Sequence, residues 1–160
     1  MIVVSNTTPI ISLYKIEQLH LLWSLFDQVF VPAAVYNEVA VLGKGKQGHD
    51  ALDTSGYIVV KEVQNIMAVN LLRTQLDYGE SEAIVLAKEL TADILILDEK
   101  KARKIAQVNA QPVIGTIGIL TIAKTKGLIT NIKTHLDGLI ENGIWIDRKL
   151  YQTVLRSNHE

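Results

Sequence analysis

Ile94-Leu95-Ile96-Leu97-Asp98-Glu99-Lys100-Lys101-Ala102-Arg103 decides how the rest of the chain is read. Four consecutive apolar residues bounded by charge fit a short strand covered on both faces, as in a parallel sheet between helical layers. Asp98 leads directly into a basic helix in which Ala102, Ile105 and Ala106 recur at helical spacing. Ligands of open parallel sheets gather beyond the carboxyl ends of the strands, so Asp98 and Glu99 stand where chemistry is expected.

Upstream, Gly79 introduces a helix carrying Ala83, Ile84, Ala87 and Leu90. Ile58 to Val63 suits an edge strand, because Lys61 and Glu62 interrupt its apolar run. Gly43 to Gly48 reads as a loop; it lacks the Gly-Lys-Ser/Thr ending of a phosphate-binding loop and joins no strand to a helix. Ala33 to Val41 has helical spacing, and Val29-Phe30-Val31 is a brief strand ended by Pro32. Ile2-Val3-Val4 is short and wholly apolar, so it too belongs between two layers. Thr8 fits an N-cap with Pro9 in the first turn, opening a helix that continues through Leu19, Leu22 and Trp23.

Downstream, Pro112-Val113-Ile114 is a last short strand, followed by a helix that Gly127 closes, with Lys124 and Lys126 suited to its C-terminal dipole. From residue 128 the pattern is helical only: Leu128, Ile132, Leu136 and Leu139 form one stripe, and Ile146, Leu150, Val154 and Leu155 a second, capped by Asp147. The alternation predicts an α/β fold, a three-layer α/β/α sandwich around a mostly parallel sheet of four to five strands. One domain over residues 1–160 is expected, with the helices of about 128–157 as a C-terminal extension.

Composition narrows the chemistry. Hydrophobic residues make up 48% and charged residues 21% of 160, values of a globular chain. Sixteen basic side chains against seventeen acidic ones leave a net charge of −1, so a nucleic-acid footprint has to be local. The absence of cysteine excludes disulfides, thiolate metal sites and cysteine nucleophiles. The N-terminus has no basic segment followed by a long apolar core, and no run approaches a membrane span, so a cytoplasmic location is expected. His20, His49, His135 and His159 have no metal-ligand spacing, and Ser12 and Ser24 lie in no nucleophile elbow.

The acids remain. Asp98 fits an N-cap as well as it fits a ligand, and position alone leaves both readings open. Glu80 and Glu82 lie in a first helical turn, where the macrodipole favours carboxylates by roughly 0.3–1 kcal/mol each. Glu38, taken alone, reads as a solvated helix residue.

Five segments occur in order: Val3-Val4-Ser5-Asn6-Thr7-Thr8-Pro9; Val31-Pro32-Ala33-Ala34-Val35-Tyr36-Asn37-Glu38-Val39; Leu76-Asp77-Tyr78-Gly79-Glu80-Ser81-Glu82-Ala83-Ile84; Leu95 to Arg103; and Pro112-Val113-Ile114-Gly115-Thr116-Ile117-Gly118-Ile119-Leu120. Over nearly its whole length the chain thereby resembles the PIN-domain family, most closely its branch of small prokaryotic toxin-like proteins. The resemblance implies a nuclease whose acids bind magnesium or manganese, acting on RNA. In many such proteins it also implies a toxin opposed by a small antitoxin protein.

The same resemblance assigns metal and catalytic roles to Glu38, Glu82 and either Asp98 or Glu99, with Glu80 and Thr7 as further candidates. Asn6 stands where the family has its first aspartate. Its carbonyl still accepts a metal or a water, but one negative charge is gone. That departure supports a second reading, a catalytically weakened module that binds RNA or protein.

Oxygen-only ligands suit hard cations such as magnesium, with manganese as a close substitute. Lys100, Lys101, Arg103 and Lys104 beside the acids, and Lys44 and Lys46 in the loop, could form a phosphate track or simply solvated surface. Aromatic residues are few, at 6%, so stacking is not expected to impose strong sequence preference. Ile129, Ile132, Leu136, Leu139 and Ile140, with Trp145, Leu150 and Tyr151, give the late helices more apolar surface than one domain is expected to cover, which predicts a homodimer.

Overall fold

The computed structural model describes residues 1–42 and 56–160. Within them five strands form one sheet: β1 (Val3–Ser5), β2 (Val29–Pro32), β3 (Ile58–Lys61), β4 (Ile94–Ile96) and β5 (Val113–Ile114). The order is β3-β2-β1-β4-β5 and every pairing is parallel, so the expected mostly parallel sheet is wholly so. Nine helices accompany it among the described residues: α1 (Thr7–Lys15), α2 (Leu21–Phe26), α3 (Ala33–Leu42), α4 (Ile66–Leu72), α5 (Tyr78–Glu89), α6 (Lys100–Val108), α7 (Thr116–Thr125), α8 (Lys133–Glu141) and α9 (Arg148–Ser157).

The wholly apolar strands are explained by what covers them. Side chains alternate across a strand. Val3 and Ile96 therefore join the cluster formed with α1, α2, α7 and α8, while Val4, Leu95 and Leu97 join that formed with α4, α5 and α6. All five are fully buried. An α/β/α arrangement follows, with β3 on the edge as its charges foretold.

Three local expectations are corrected. Asn6, not Thr8, occupies the N-cap of α1, and its side chain makes no capping bond. The helix does not run on to Trp23: α1 stops at Lys15, Glu17 adopts a left-handed φ of 59°, and α2 restarts the path at Leu21. No glycine or proline marks that break. The surplus assigned to the late helices is also mostly consumed within the chain, because Ile129, Ile132, Leu136, Leu139 and Val154 lie in the same core as α1 and α2. Ile140, Trp145 and Leu150 stay exposed.

Glu160 fastens this C-terminal region. At the start of α8 the N-cap residue Ile132 has no capping side chain, and Asn131 Oδ1 accepts only from the Thr134 amide, at 3.1 Å. Glu160 Oε1 instead accepts from the Ile132 amide at 2.7 Å and Oε2 from the Lys133 amide at 2.9 Å, and Lys124 forms an ion pair with the same carboxylate. These amides are among the donors that a helix start leaves unsatisfied. Burial pushes the carboxyl up, but the Lys124 ammonium and the two amides overcome it and lower its pKa from 4.5 to about 2. A depressed folded pKa contributes stability above the unfolded value, and that contribution is lost as pH falls from about 4.5 to about 2. Glu160→Gln is therefore expected to lower the melting temperature at neutral pH and to flatten its fall across that window. Thermal melts in a pH series measure both.

Candidate functional site

Strand order reverses beside β1: β2 and β3 lie to one side of it, β4 and β5 to the other. Loops leaving β1 and β4 diverge there and open a crevice at the carboxyl ends. Ser5 is in register with Ile96, and the Asn6 amide donates to the Ile96 carbonyl at 3.0 Å. Asn6 therefore sits beside the end of β4, where Asp98 and Glu99 follow.

Polar residues at this edge are unusually buried. Ser5, Asn6, Thr7, Glu80, Ser81 and Glu82 are all at most 8% exposed. Burial without a partner is costly for a polar group, and one atom here has none: the carbonyl oxygen of Asn6, Oδ1.

Each acid is held by a different element. Glu38 projects from α3, and the Thr7 hydroxyl donates to its Oε2 at 2.5 Å across 31 positions of sequence. The carboxylate lies against Gly79, where any Cβ would stand 2.6 Å from Oε1 and 2.8 Å from Oε2. Glu82, in the first turns of α5, accepts from the Ala34 amide at 3.0 Å, which ties α5 to the start of α3. Glu80 completes a capping box: it accepts from the Asp77 amide while Asp77 accepts from the Glu80 amide at 2.7 Å.

Charge accumulates in the crevice. Among the described residues the ion pairs are Lys124–Glu160 and Lys133–Asp137, and neither involves these acids. Burial pushes the Glu80 carboxyl above its ordinary range against the Asp77 amide, and the charges of Asp77, Glu99 and Glu38 add to the rise. Hydrogen bonding and charge from the Glu82 carboxylate likewise raise the Tyr78 hydroxyl. Above the Tyr78 ring, 4.6 Å from its centroid, lies the Arg73 guanidinium.

The family model described as PIN domain matches residues 2–160. The chain belongs to the PIN-domain family. No curated protein matches it in sequence. The PIN domain is a nuclease-type fold, and its members typically use divalent metals.

Within this PIN domain the two acids after β4 part company. Asp98 accepts from the Thr116 amide at 2.7 Å through Oδ1 and from the Thr116 hydroxyl at 2.6 Å through Oδ2, so both oxygens are committed to the start of α7. Glu99, not Asp98, caps α6, accepting from the Ala102 amide at 2.7 Å, and its charge acts on Glu80. Among the described residues no three acidic or histidine side chains converge closely enough to hold an ion between them. The donors nevertheless suit a hard cation in kind: they are oxygens, and the buried Asn6 Oδ1 has no partner. Magnesium keeps several waters and needs no closed protein cage.

The basic helix divides. Lys100 and Arg103 line a cavity of about 520 Å³ together with Asp98 and Thr116. Lys101 and Lys104 line another, of about 380 Å³, with Gln75 and Val108. Residues three apart share a helix face, and the two pairs line different cavities. Lys44 and Lys46 lie outside the described residues.

Thr7 and Glu80 were legible as candidates from the motif alone. Tyr78, Thr116 and the amide of Ala34 were not. Gly79 carried a usable signal, since glycine inside a helix costs about 1 kcal/mol relative to alanine and marks a close approach when it is retained. No helix among the described residues is long and apolar enough to cross a membrane.

Proposed function

We propose that this PIN domain is an endoribonuclease that hydrolyses RNA phosphodiester bonds with magnesium or manganese. The observation that carries the proposal is the group of buried oxygens at the β1/β4 crevice, with Asn6 Oδ1 unpartnered and Glu38 and Glu82 unpaired by any cation among the described residues. Clustered acids without a counter-ion repel one another, and a divalent cation relieves that conflict. Asn6, Glu38, Glu82 and Glu99 would hold the ion in part through its own waters, since no three acids among the described residues close on one point, with Asp98 acting through Thr116 to fix the start of α7. Bound there, the cation supplies Lewis acidity for in-line displacement at phosphorus.

The chain's own groups do the positioning. Thr7 holds the Glu38 carboxylate in place, and the Ala34 amide does the same for Glu82. Arg73, exposed and stacked on Tyr78, offers a cation at the rim for a backbone phosphate. As a toxin the protein would be restrained by a small antitoxin protein, and as a homodimer it would present two such crevices.

Incubation with pooled RNA in manganese, magnesium or EDTA tests the activity. Cleavage confined to the metal-containing samples supports it; identical RNA profiles in all three would leave the weakened, binding-only module. The same assay weighs Asn6. Asn6→Asp restores a carboxylate at the buried, unpartnered oxygen, and is expected to speed cleavage and tighten manganese binding. In EDTA the added buried charge should lower the melting temperature. Weaker manganese binding by that variant would place Asn6 outside the metal site.

A further inference from the structure

Beyond the crevice, the cavity lined by Lys100 and Arg103 has features that phosphodiester hydrolysis alone does not require. It lies between β5, the start of α7 and the segment joining α8 to α9, and its volume of about 520 Å³ is that of a ligand site. Trp145 lines it while remaining 83% exposed. A large aromatic ring left in water beside a cavity is the arrangement of a stacking platform.

Charge complementarity selects the occupant. Two carboxylates line the cavity, but both are engaged. Asp98 accepts two bonds from Thr116, and Asp147 caps α9 by accepting from the Leu150 amide at 3.1 Å. The two cations are less committed. Lys100 is exposed and forms no ion pair among the described residues. Arg103 donates one long bond, 3.3 Å, to the Leu97 carbonyl, and its Nη1 lies near Asp98 Oδ1, the two standing 2.6 and 2.7 Å from where a Cβ on Gly115 would be, without forming an ion pair. Two cations without an ion pair among the described residues, an exposed indole and apolar walls from Ile144 and Ile146 match a nucleotide, its phosphate on the cations and its base on the ring. Asp98, the residue before Glu99, borders the cavity.

We infer that this cavity is a base-binding subsite for one unpaired nucleotide of single-stranded RNA, with the base stacked on Trp145 and the phosphate held by Arg103 and Lys100. The inference rests on the RNA-directed reading of the crevice and restricts its substrate to unpaired strands. Stacking accepts every base, so the subsite selects strandedness rather than sequence.

Binding in EDTA, where metal-dependent cleavage is suppressed, tests it with a short oligoadenylate, alone and paired with oligouridylate. Wild type should bind the single strand with quenching of tryptophan fluorescence and bind the duplex more weakly. Trp23, half-buried and stacked on Tyr57, contributes a constant background. Trp145→Ala is expected to lose the quench and weaken single-strand binding on the order of tenfold, while Trp145→Phe keeps most of the affinity. Unchanged melting temperatures would confirm that the exposed position is not structural. Equal binding by wild type and Trp145→Ala, or equal binding of duplex and single strand, would overturn the subsite and leave the nuclease proposal standing. A quench produced by an amphipathic peptide but not by oligoadenylate would make the cavity a protein-docking groove and overturn it as well. Metal-dependent cleavage that fails altogether, with no RNA bound, would instead sink the nuclease proposal and the subsite with it.

Discussion

Glu82→Gln is expected to abolish the manganese-dependent rise in melting temperature and to cut RNA cleavage by on the order of 100-fold, with the fold intact. At a hundredfold excess over Kd, a ligand that binds only the native state adds about 2.7 kcal/mol. In a chain of this size that is roughly 5–10 °C of melting temperature, an effect easily read by a thermal-shift measurement. Losing a residue that merely supports a metal ligand costs about 10–100-fold, and a direct ligand belongs at the upper end. Stability without metal should survive, because a glutamine carbonyl can still accept from the Ala34 amide that Glu82 now holds at 3.0 Å. The Tyr78 hydroxyl, raised by the Glu82 carboxylate, should titrate closer to its ordinary value of 10.0 in the variant, a spectroscopic check that needs no metal. Glu99→Gln and Asp98→Asn compared in parallel separate the two acids after β4. Loss of the manganese response is expected for Glu99→Gln, and loss of stability for Asp98→Asn. A full manganese shift in Glu82→Gln would remove that residue from the site.

Gly79→Ala is expected to be nearly silent for stability and severe for function. Alanine is a better helix former by up to about 1 kcal/mol, and α5 would accept it. Its methyl group, however, would occupy the place of the Glu38 carboxylate, 2.6 Å from one oxygen and 2.9 Å from Cδ. Glu38 is the movable partner, so it would swing away and give up the Thr7 hydroxyl bond. A positioning error of about 1 Å costs about 100-fold in catalysis. The expected result is a melting temperature in EDTA close to wild type, a lost manganese shift and cleavage down by on the order of 100-fold. Wild-type cleavage in Gly79→Ala would mean that Glu38 is free to reach the metal from elsewhere, and its close seat against α5 would have no functional role.

Both predictions depend on pairs far apart in the chain, and that is where the sequence stops being sufficient. Local periodicity determined a great deal. Doubly apolar runs at Val3-Val4 and Leu95-Ile96-Leu97 required cover on both faces, which with the intervening helical patterns amounts to a parallel three-layer fold. Lys61 placed β3 on the edge, and Asp147 marked the start of α9. Helix α4 stayed hidden because Val69 alone of its residues is buried while Ile66, Met67 and Leu71 face outward, so no apolar stripe announces it. The break between α1 and α2 has no glycine or proline to signal it; Glu17 adopts a left-handed conformation where the Glu17 amide donates to the Tyr14 carbonyl and the Gln18 amide to the Leu13 carbonyl, closing α1.

The order of motifs supplied the family and a short set of acids, since Glu38, Glu82, Asp98 and Glu99 are written in the chain as residue types at strand and helix ends. Their surroundings were decided only in three dimensions. Thr7 meets Glu38 and Ala34 meets Glu82 through hydrogen bonds spanning 31 and 48 positions, and no local pattern encodes partners at such separations. Asp98 and Glu99 are neighbours of similar chemistry, yet one is tied to Thr116 on α7 and the other caps α6. Which way each carboxylate turns depends on where α7 is packed, and that is fixed by its burial against α1, α2 and the late helices rather than by anything between residues 94 and 103.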